Sequence, residues 1–282
     1  MRKVFEVLKF AAEKLESEKI EMPRLDAEVL LAYVLNCRRL KLYTDAEKIL
    51  TDEQIFKFNK LIERRAEKIP VAYLIGSKEF FGLNFVVNEN VLIPRPDTEI
   101  LTQCAIEFLQ NFDGEKIFAD LGTGSGAICI SVLKFCKTAR AAAVDISEKS
   151  LEVAEFNAQK FNVDDRIKFF CGNLFEPLAG KKFSAIISNP PYIPTADLKN
   201  LQDEVKKEPL TALDGGADGL NFYREIISTA PKFLLDGGFL AVEIGSTQAE
   251  DVKKIFVENN FCEIKILRDL AGLERVICAQ KF

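Results

Sequence analysis

The chain contains no histidine and no tryptophan among its 282 residues. Without histidine, the commonest general base, metal ligand and triad member is missing, so hydrolysis by a histidine-dependent triad is excluded. The cysteines (Cys37, Cys104, Cys129, Cys136, Cys171, Cys262 and Cys278) are odd in number and scattered, with no Cys-x-x-Cys. Most fall in apolar runs, where a reduced core thiol is the usual occupant, which argues against a disulfide framework or a zinc site and for a reducing compartment. No apolar run reaches membrane-spanning length and no N-terminal apolar leader stands out, so a cytoplasmic location is expected. Excess basic charge is also absent. The net charge is −5, a poor basis for sequence-independent DNA binding, which relies on Lys and Arg against phosphates.

What the chain does have is apolar mass: 48% hydrophobic residues and 23 phenylalanines, enough for a sizeable core without covalent staples. Its length suits one domain of about 200 residues plus a smaller one.

The most informative stretch is Asn189-Pro190-Pro191-Tyr192, which follows the apolar run Phe183, Ala185, Ile186 and Ile187. A strand that stops in two prolines leaves backbone carbonyls without ladder partners, because neither proline has an N–H and Pro190 holds Asn189 extended. The Asn189 and Pro190 carbonyls, an amide side chain and an aromatic ring together suit a planar nitrogen such as an amide or an exocyclic amine. Taken alone, the box is also an ordinary proline-rich turn.

Upstream lies Asp120-Leu121-Gly122-Thr123-Gly124-Ser125-Gly126, running into the apolar stretch Ala127–Leu133. The pattern reads as strand, glycine-rich turn and helix, with a backbone open to a ligand at the helix N-terminus. The spacing matches neither the dinucleotide fingerprint nor the triphosphate loop. The next strand, Ala141–Val144, ends in Asp145, placed where an acid in a doubly wound sheet accepts ribose hydroxyls. A helix-capping role before Ser147 is the alternative.

These motifs resemble the class I S-adenosylmethionine-dependent methyltransferases, specifically the release-factor glutamine N5-methyltransferases. The similarity includes Val91–Glu99 (Val-Leu-Ile-Pro-Arg-Pro-Asp-Thr-Glu), the glycine loop, Ala143–Ser147 and the Asn-Pro-Pro-Tyr box. It continues through Glu208-Pro209, Gly215–Leu220, Tyr223-Arg224, Glu243–Gly245 and Asp269–Gly272. The box alone is shared with adenine-N6 methyltransferases; the other segments are more selective.

The resemblance implies an α/β fold: a doubly wound seven-stranded sheet with a small N-terminal helical domain joined by a β-hairpin. Residues 1–75 are expected to form the helical, partner-recognising domain, 76–96 the hairpin linker and 97–282 the methyltransferase domain. Hydrophobic periodicity agrees. It predicts helices from Val4 to about Leu15, from Pro23 to about Asn36, and from Thr51 to Lys68 behind a capping box at Thr51-Asp52-Glu53-Gln54. A hairpin with its turn near Gly82 follows, then a helix from about Asp97 to Phe112. Next come alternating strands and helices, including a helix over 221–235. The clusters Arg38-Arg39-Leu40-Lys41 and Arg64-Arg65 read as solvated helix faces, with contact to an acidic partner as the alternative.

By resemblance, Gly122, Thr123, Gly124, Ser125 and Gly126 wrap the methionine part of S-adenosylmethionine, Asp120 positions its amino group and Asp145 holds its ribose. Asn173 and Leu174 approach adenine; Asn173 stands where the family has Asp, and a plain turn role is the alternative. Asn189 and Pro190 bind the substrate amide, flanked by Pro191 and Tyr192. Tyr192 packs on the flat amide without acting as a base, and Asn189 also borders the cofactor. The implied partner is a class 1 peptide chain release factor, methylated at the glutamine of its Gly-Gly-Gln loop, with no nucleic acid, membrane or metal required. A ribosomal-protein glutamine or a nucleic-acid adenine are the competing acceptors, and a non-catalytic binding module the remaining class. Glu243 and the Ile93–Glu99 run are expected near the same sheet edge, and Arg224 as an internal clamp.

Overall fold

The structure, a computed structural model, describes residues 2–282. It divides into two compact units, one made of residues up to Ser77 together with Gln202–Lys207, the other of Lys78–Leu201 and Glu208–Phe282.

The first unit is helical: α1 Val4–Ser17, α2 Pro23–Val34, α3 Arg39–Thr44, α4 Asp52–Ala66 and α5 Val71–Ile75. Pro23 opens α2, where its missing N–H costs nothing. Thr51 and Gln54 exchange the two hydrogen bonds of a capping box at the start of α4. Val4, Leu8, Leu15, Leu30, Leu31 and Phe58 fill the core between these helices. The periodicity does not reveal α3 and α5, which are too short to show a helical repeat. Arg65 is not on a solvated face. It is 3% exposed and pairs with Asp26 at 2.7 Å and Glu204 at 3.0 Å. A buried guanidinium needs such partners to offset its lost hydration.

The second unit starts at Lys78, within the two-stranded hairpin β1 Ser77–Phe80 and β2 Leu83–Val86, which is followed by α6 Thr98–Asn111. Strands and helices then alternate: β3 Ile117–Leu121, α7 Ala127–Phe135, β4 Arg140–Asp145, α8 Glu148–Lys160, β5 Ile167–Cys171, β6 Phe183–Ser188, α9 Asn221–Thr229, β7 Leu234–Glu243, α10 Ala249–Glu258, β8 Phe261–Arg268 and β9 Glu274–Lys281. The seven-stranded sheet has the order β5-β4-β3-β6-β7-β9-β8, with β9 antiparallel to both neighbours. Alternate side chains feed two cores, one per face. Phe118 and Ala185 join α6, α7 and α8 on one side; Ala119 and Ile186 join α9 and α10 on the other.

The helix expected over 221–235 stops at Thr229, because Pro231 lacks the N–H to continue it. A 3-10 turn over Ala230–Lys232 leads into β7 instead. Arg224 clamps Asp218 through both terminal guanidinium nitrogens. The cysteines are all free, with Cys129, Cys136 and Cys278 buried and Cys171 exposed. Among the described residues no helix is long and apolar enough to cross a membrane.

The chain runs outward from β3 through β4 to β5, then returns to place β6 on the other side of β3. This reversal opens a crevice at the carboxyl ends of the strands, where such sheets bind ligands. Residues 122–124, 145, 172–174 and 189–191 all sit at that edge.

Candidate active site

The glycine loop is held from below. Gly122 and Thr123 donate their N–H groups to the Val144 carbonyl at 2.8 and 2.9 Å, which turns the chain sharply off β3. Gly122 (φ 74°) and Gly124 (φ 55°) have left-handed backbones, and a Cβ at either would meet nothing within 4 Å. They are glycine for conformation and they face open space. Gly126 is left-handed as well (φ 78°), and its Cβ would also stand 2.8 Å from Ile130 Cδ1, so both conformation and close packing require glycine as α7 begins.

Two carboxylates organise this turn. Asp145 Oδ2 accepts the Gly124 N–H and Oδ1 the Ser147 N–H, each at 2.9 Å. Burial raises the Asp145 pKa, against the pull of those bonds. Asp120 is fully buried. Its Oδ2 accepts the Thr123 hydroxyl at 2.7 Å, while Oδ1 has no partner. Desolvation pushes the Asp120 pKa up to about 7.

The loop faces a cavity of about 400 Å³, within the range for small-molecule sites. Its wall includes Gly122, Gly124, Asp145, Asn173, Leu174, Asn189, Pro190 and Pro191. Asp120, Thr123, Ser125, Gly126 and Tyr192 lie outside this lining. Asn173 reaches Glu225 Oε1 with its amide nitrogen at 3.3 Å. Ile146 and Phe222 add apolar surface to the same lining.

At the other end, Asn189 Nδ2 donates to Thr98 Oγ1 at 3.2 Å. Tyr192 packs into the second core, where burial pushes its hydroxyl pKa up to about 12, far from any base at neutral pH. Gln248 fixes the end of the box: its Nε2 donates to the Tyr192 carbonyl and its Oε1 accepts the Gly245 N–H, both at 3.0 Å. The segment after the box folds back on it. Ile193 exchanges two backbone bonds with this return chain: its N–H donates to the Leu213 carbonyl at 3.0 Å and its carbonyl accepts the Gly215 N–H at 2.8 Å. A Cβ on Gly215 would sit 2.7 Å from Tyr192 Cα, which explains the glycine. Pro209, Leu210 and Thr211 thereby become cavity wall. Arg95 pairs with Glu208, whose other oxygen accepts the Ile93 N–H at 3.0 Å.

Periodicity and motif spacing overlook three contributors. Asn157, fully buried in α8, uses its whole amide: Oδ1 accepts from Val86 N at 2.8 Å, and Nδ2 donates to Val86 O and Ser125 O, both at 2.9 Å. It ties the hairpin to the glycine loop. A lone Asn between Ala154 and Ala158 on an otherwise apolar face is the only trace it leaves in the sequence. Gln248 leaves no such trace, and Thr98 shows only as part of the Ile93–Glu99 run expected at this edge, with no contact to Asn189 foreseen.

Residues 6–76 match the family model described as the PrmC N-terminal domain, and residues 97–216 match the methyltransferase small domain. The chain is 41% identical over 272 residues to the release factor glutamine methyltransferase of Geobacter sulfurreducens, covering 96% of this chain and 94% of that one. It is 38% identical to the Aquifex aeolicus protein of the same name, over the full length of both. The chain belongs to the release factor glutamine methyltransferase family. Its fold is also that of a Pyrococcus furiosus methyltransferase, with a TM-score of 0.54 at 18% identity, covering 78% of this chain and 98% of that one.

As a release factor glutamine methyltransferase the chain uses S-adenosylmethionine as methyl donor, and the cavity suits that molecule. Asp145 keeps a free lone pair on each oxygen for hydroxyl groups. Leu174, Ile146 and Phe222 offer apolar surface to a planar base. Behind the loop, the unpartnered Asp120 Oδ1 is a buried acceptor awaiting a donor.

Proposed function

We propose that this enzyme methylates the side-chain amide nitrogen of the glutamine in the Gly-Gly-Gln loop of class 1 peptide chain release factors, in the cytoplasm. One observation carries the reading: the glycine loop with Asp145 and the Asn189-Pro190-Pro191 run line the same cavity. A site for a nucleoside-bearing donor and a site for an amide nitrogen thus share one space.

S-adenosylmethionine supplies an electrophilic methyl group on a sulfonium. Asp145 binds the ribose, the Gly122–Gly126 loop the methionine portion and Asp120 its amino group, while Leu174 and Asn173 border adenine. Asn189 Oδ1 and the Pro190 carbonyl accept the two N–H bonds of the glutamine amide. An amide nitrogen is a poor nucleophile because its lone pair is delocalised. Two fixed acceptors orient the nitrogen and stabilise the positive charge that builds on it. The departing thioether is neutral and needs no proton. The methylated amide, strongly acidic while cationic, loses its surplus N–H proton to water, so the reaction runs without the histidine the chain lacks. Pro191 and the Tyr192 backbone keep the two acceptors in place. The helical unit recognises the release factor, and the acidic chain favours a protein over nucleic acid as acceptor.

The test is methyl transfer from labelled donor to purified release factor, ribosomal proteins, DNA and rRNA in parallel. Label in the release factor that disappears when its Gly-Gly-Gln glutamine is replaced supports the reading. Label only in ribosomal protein or nucleic acid overturns it.

A further inference from the structure

Thr98 opens α6, Asn189 follows the last residue of β6 and Glu243 closes β7. The parallel register pairs Ser188 with Val242, so Asn189 and Glu243 emerge side by side at the carboxyl edge. Glu243 is 2% exposed and Thr98 4%. The Glu243 carboxylate lies close enough to the Thr98 hydroxyl and the Asn189 amide to feel both, and its Oε2 has no hydrogen-bond partner. A hydrogen bond from Tyr223 Oη to the Glu243 carbonyl at 3.0 Å anchors its backbone.

The direction of hydrogen bonding in this cluster is constrained. An ionised carboxylate only accepts, so the Thr98 hydroxyl turns its proton to Glu243. The Thr98 oxygen then accepts, and it does so from Asn189 Nδ2 at 3.2 Å. With its NH2 group committed inward, Asn189 presents Oδ1 outward. A flipped Asn189 would set its oxygen against a carboxylate and its NH2 against the NH2 of the substrate amide. Both contacts are repulsive.

We propose that Thr98 and Glu243 are positioning residues that hold the Asn189 amide with its oxygen toward the cavity; this rests on the role assigned to Asn189 above. Neither lines the cavity, so they act through Asn189. Burial pushes the Glu243 pKa up to about 7, opposed by the hydrogen bonds from Thr98 and Asn189. The other titratable groups facing it are Asp97, Arg275, Tyr192 and Tyr223; Asp97 is itself paired with Arg275 at 3.0 Å. Protonation turns Glu243 into a donor and releases the constraint on the Thr98 hydroxyl. The turnover rate therefore falls as the pH drops through about 7.

The experiment compares Thr98→Val, Thr98→Ser, Glu243→Gln and Asn189→Ala in the full-length enzyme with release factor as substrate. Thr98→Val and Glu243→Gln are expected to lower kcat about tenfold or more, about 1.4 kcal/mol in the barrier. The dissociation constant for S-adenosylmethionine should stay within about twofold, and Thr98→Ser should restore kcat. Glu243→Gln should also remove the acidic limb of the pH profile, which separates it from Asp120, titrating in the same range. Loss of cofactor binding in step with kcat, or no rescue by Thr98→Ser, would mean a merely structural role and overturn the proposal. So would wild-type kcat in both Thr98→Val and Glu243→Gln. If those two are wild-type while Asn189→Ala is inactive, only the positioning claim fails. An active Asn189→Ala removes the role of Asn189 and the proposal with it.

Discussion

Replacing Asn157 by Ala tests whether the glycine loop is held from behind. The change leaves Val86 N, Val86 O and Ser125 O without their partner; Asn157 itself is fully buried and Val86 half-buried. An unsatisfied buried polar group costs about 1–3 kcal/mol. Three of them, with partial relaxation of the hairpin, come to about 3–6 kcal/mol, a large share of a typical domain's 5–15 kcal/mol. For a unit of about 200 residues this lowers Tm by roughly 6–24 °C. Asn157→Asp should be no milder, since it keeps the acceptor for Val86 N but sets a charge against two carbonyls. The assay is differential scanning calorimetry, paired with titration calorimetry of S-adenosylmethionine, whose affinity should drop about tenfold as Ser125 loosens. A Tm shift under about 2 °C with unchanged affinity would refute the reasoning.

Further outcomes are expected at the cofactor loop and the box. Gly126→Ala, forced to φ 78° and against Ile130, should cost about 1–3 kcal/mol and weaken cofactor binding, measured by urea unfolding and titration calorimetry. Tyr192→Phe should keep kcat within about threefold, whereas removing a true general base costs about 10²–10⁴; steady-state kinetics decides. Asp120 has a folded pKa raised to about 7 from 3.8, so the native state holds its proton more tightly than the unfolded chain does. Its stability contribution is present below about pH 4 and is lost as pH rises to about 7. Asp120→Asn should therefore stabilise the free protein at pH 8 by a few kcal/mol (order of magnitude), much less near pH 4, while weakening S-adenosylmethionine binding. A pH-independent effect in denaturation curves would contradict this.

Local chemistry wrote much of the fold into the sequence. Apolar runs such as Ala141–Val144 and Phe183–Ile187 mark buried parallel strands, and the Thr51 capping box marks the start of α4. The glycine loop and the double proline declare themselves because both act on their own backbone. What failed to show depends on distant partners. Arg65 looked like surface until Asp26 and Glu204 closed on it. Asn157 gains its meaning from Val86 and Ser125, far away in the chain. The Thr98–Asn189–Glu243 cluster needs the register of β6 against β7. Gly215 is explained only once the return chain lies on Tyr192.

The most direct test of the account is mass-spectrometric mapping of the methyl group after incubating the enzyme with S-adenosylmethionine and an unmethylated release factor. The account predicts one added methyl, on the side-chain nitrogen of the Gly-Gly-Gln glutamine, and none with Asn189→Ala enzyme that still binds the donor. A methyl on another residue, or equal transfer by Asn189→Ala, would contradict it.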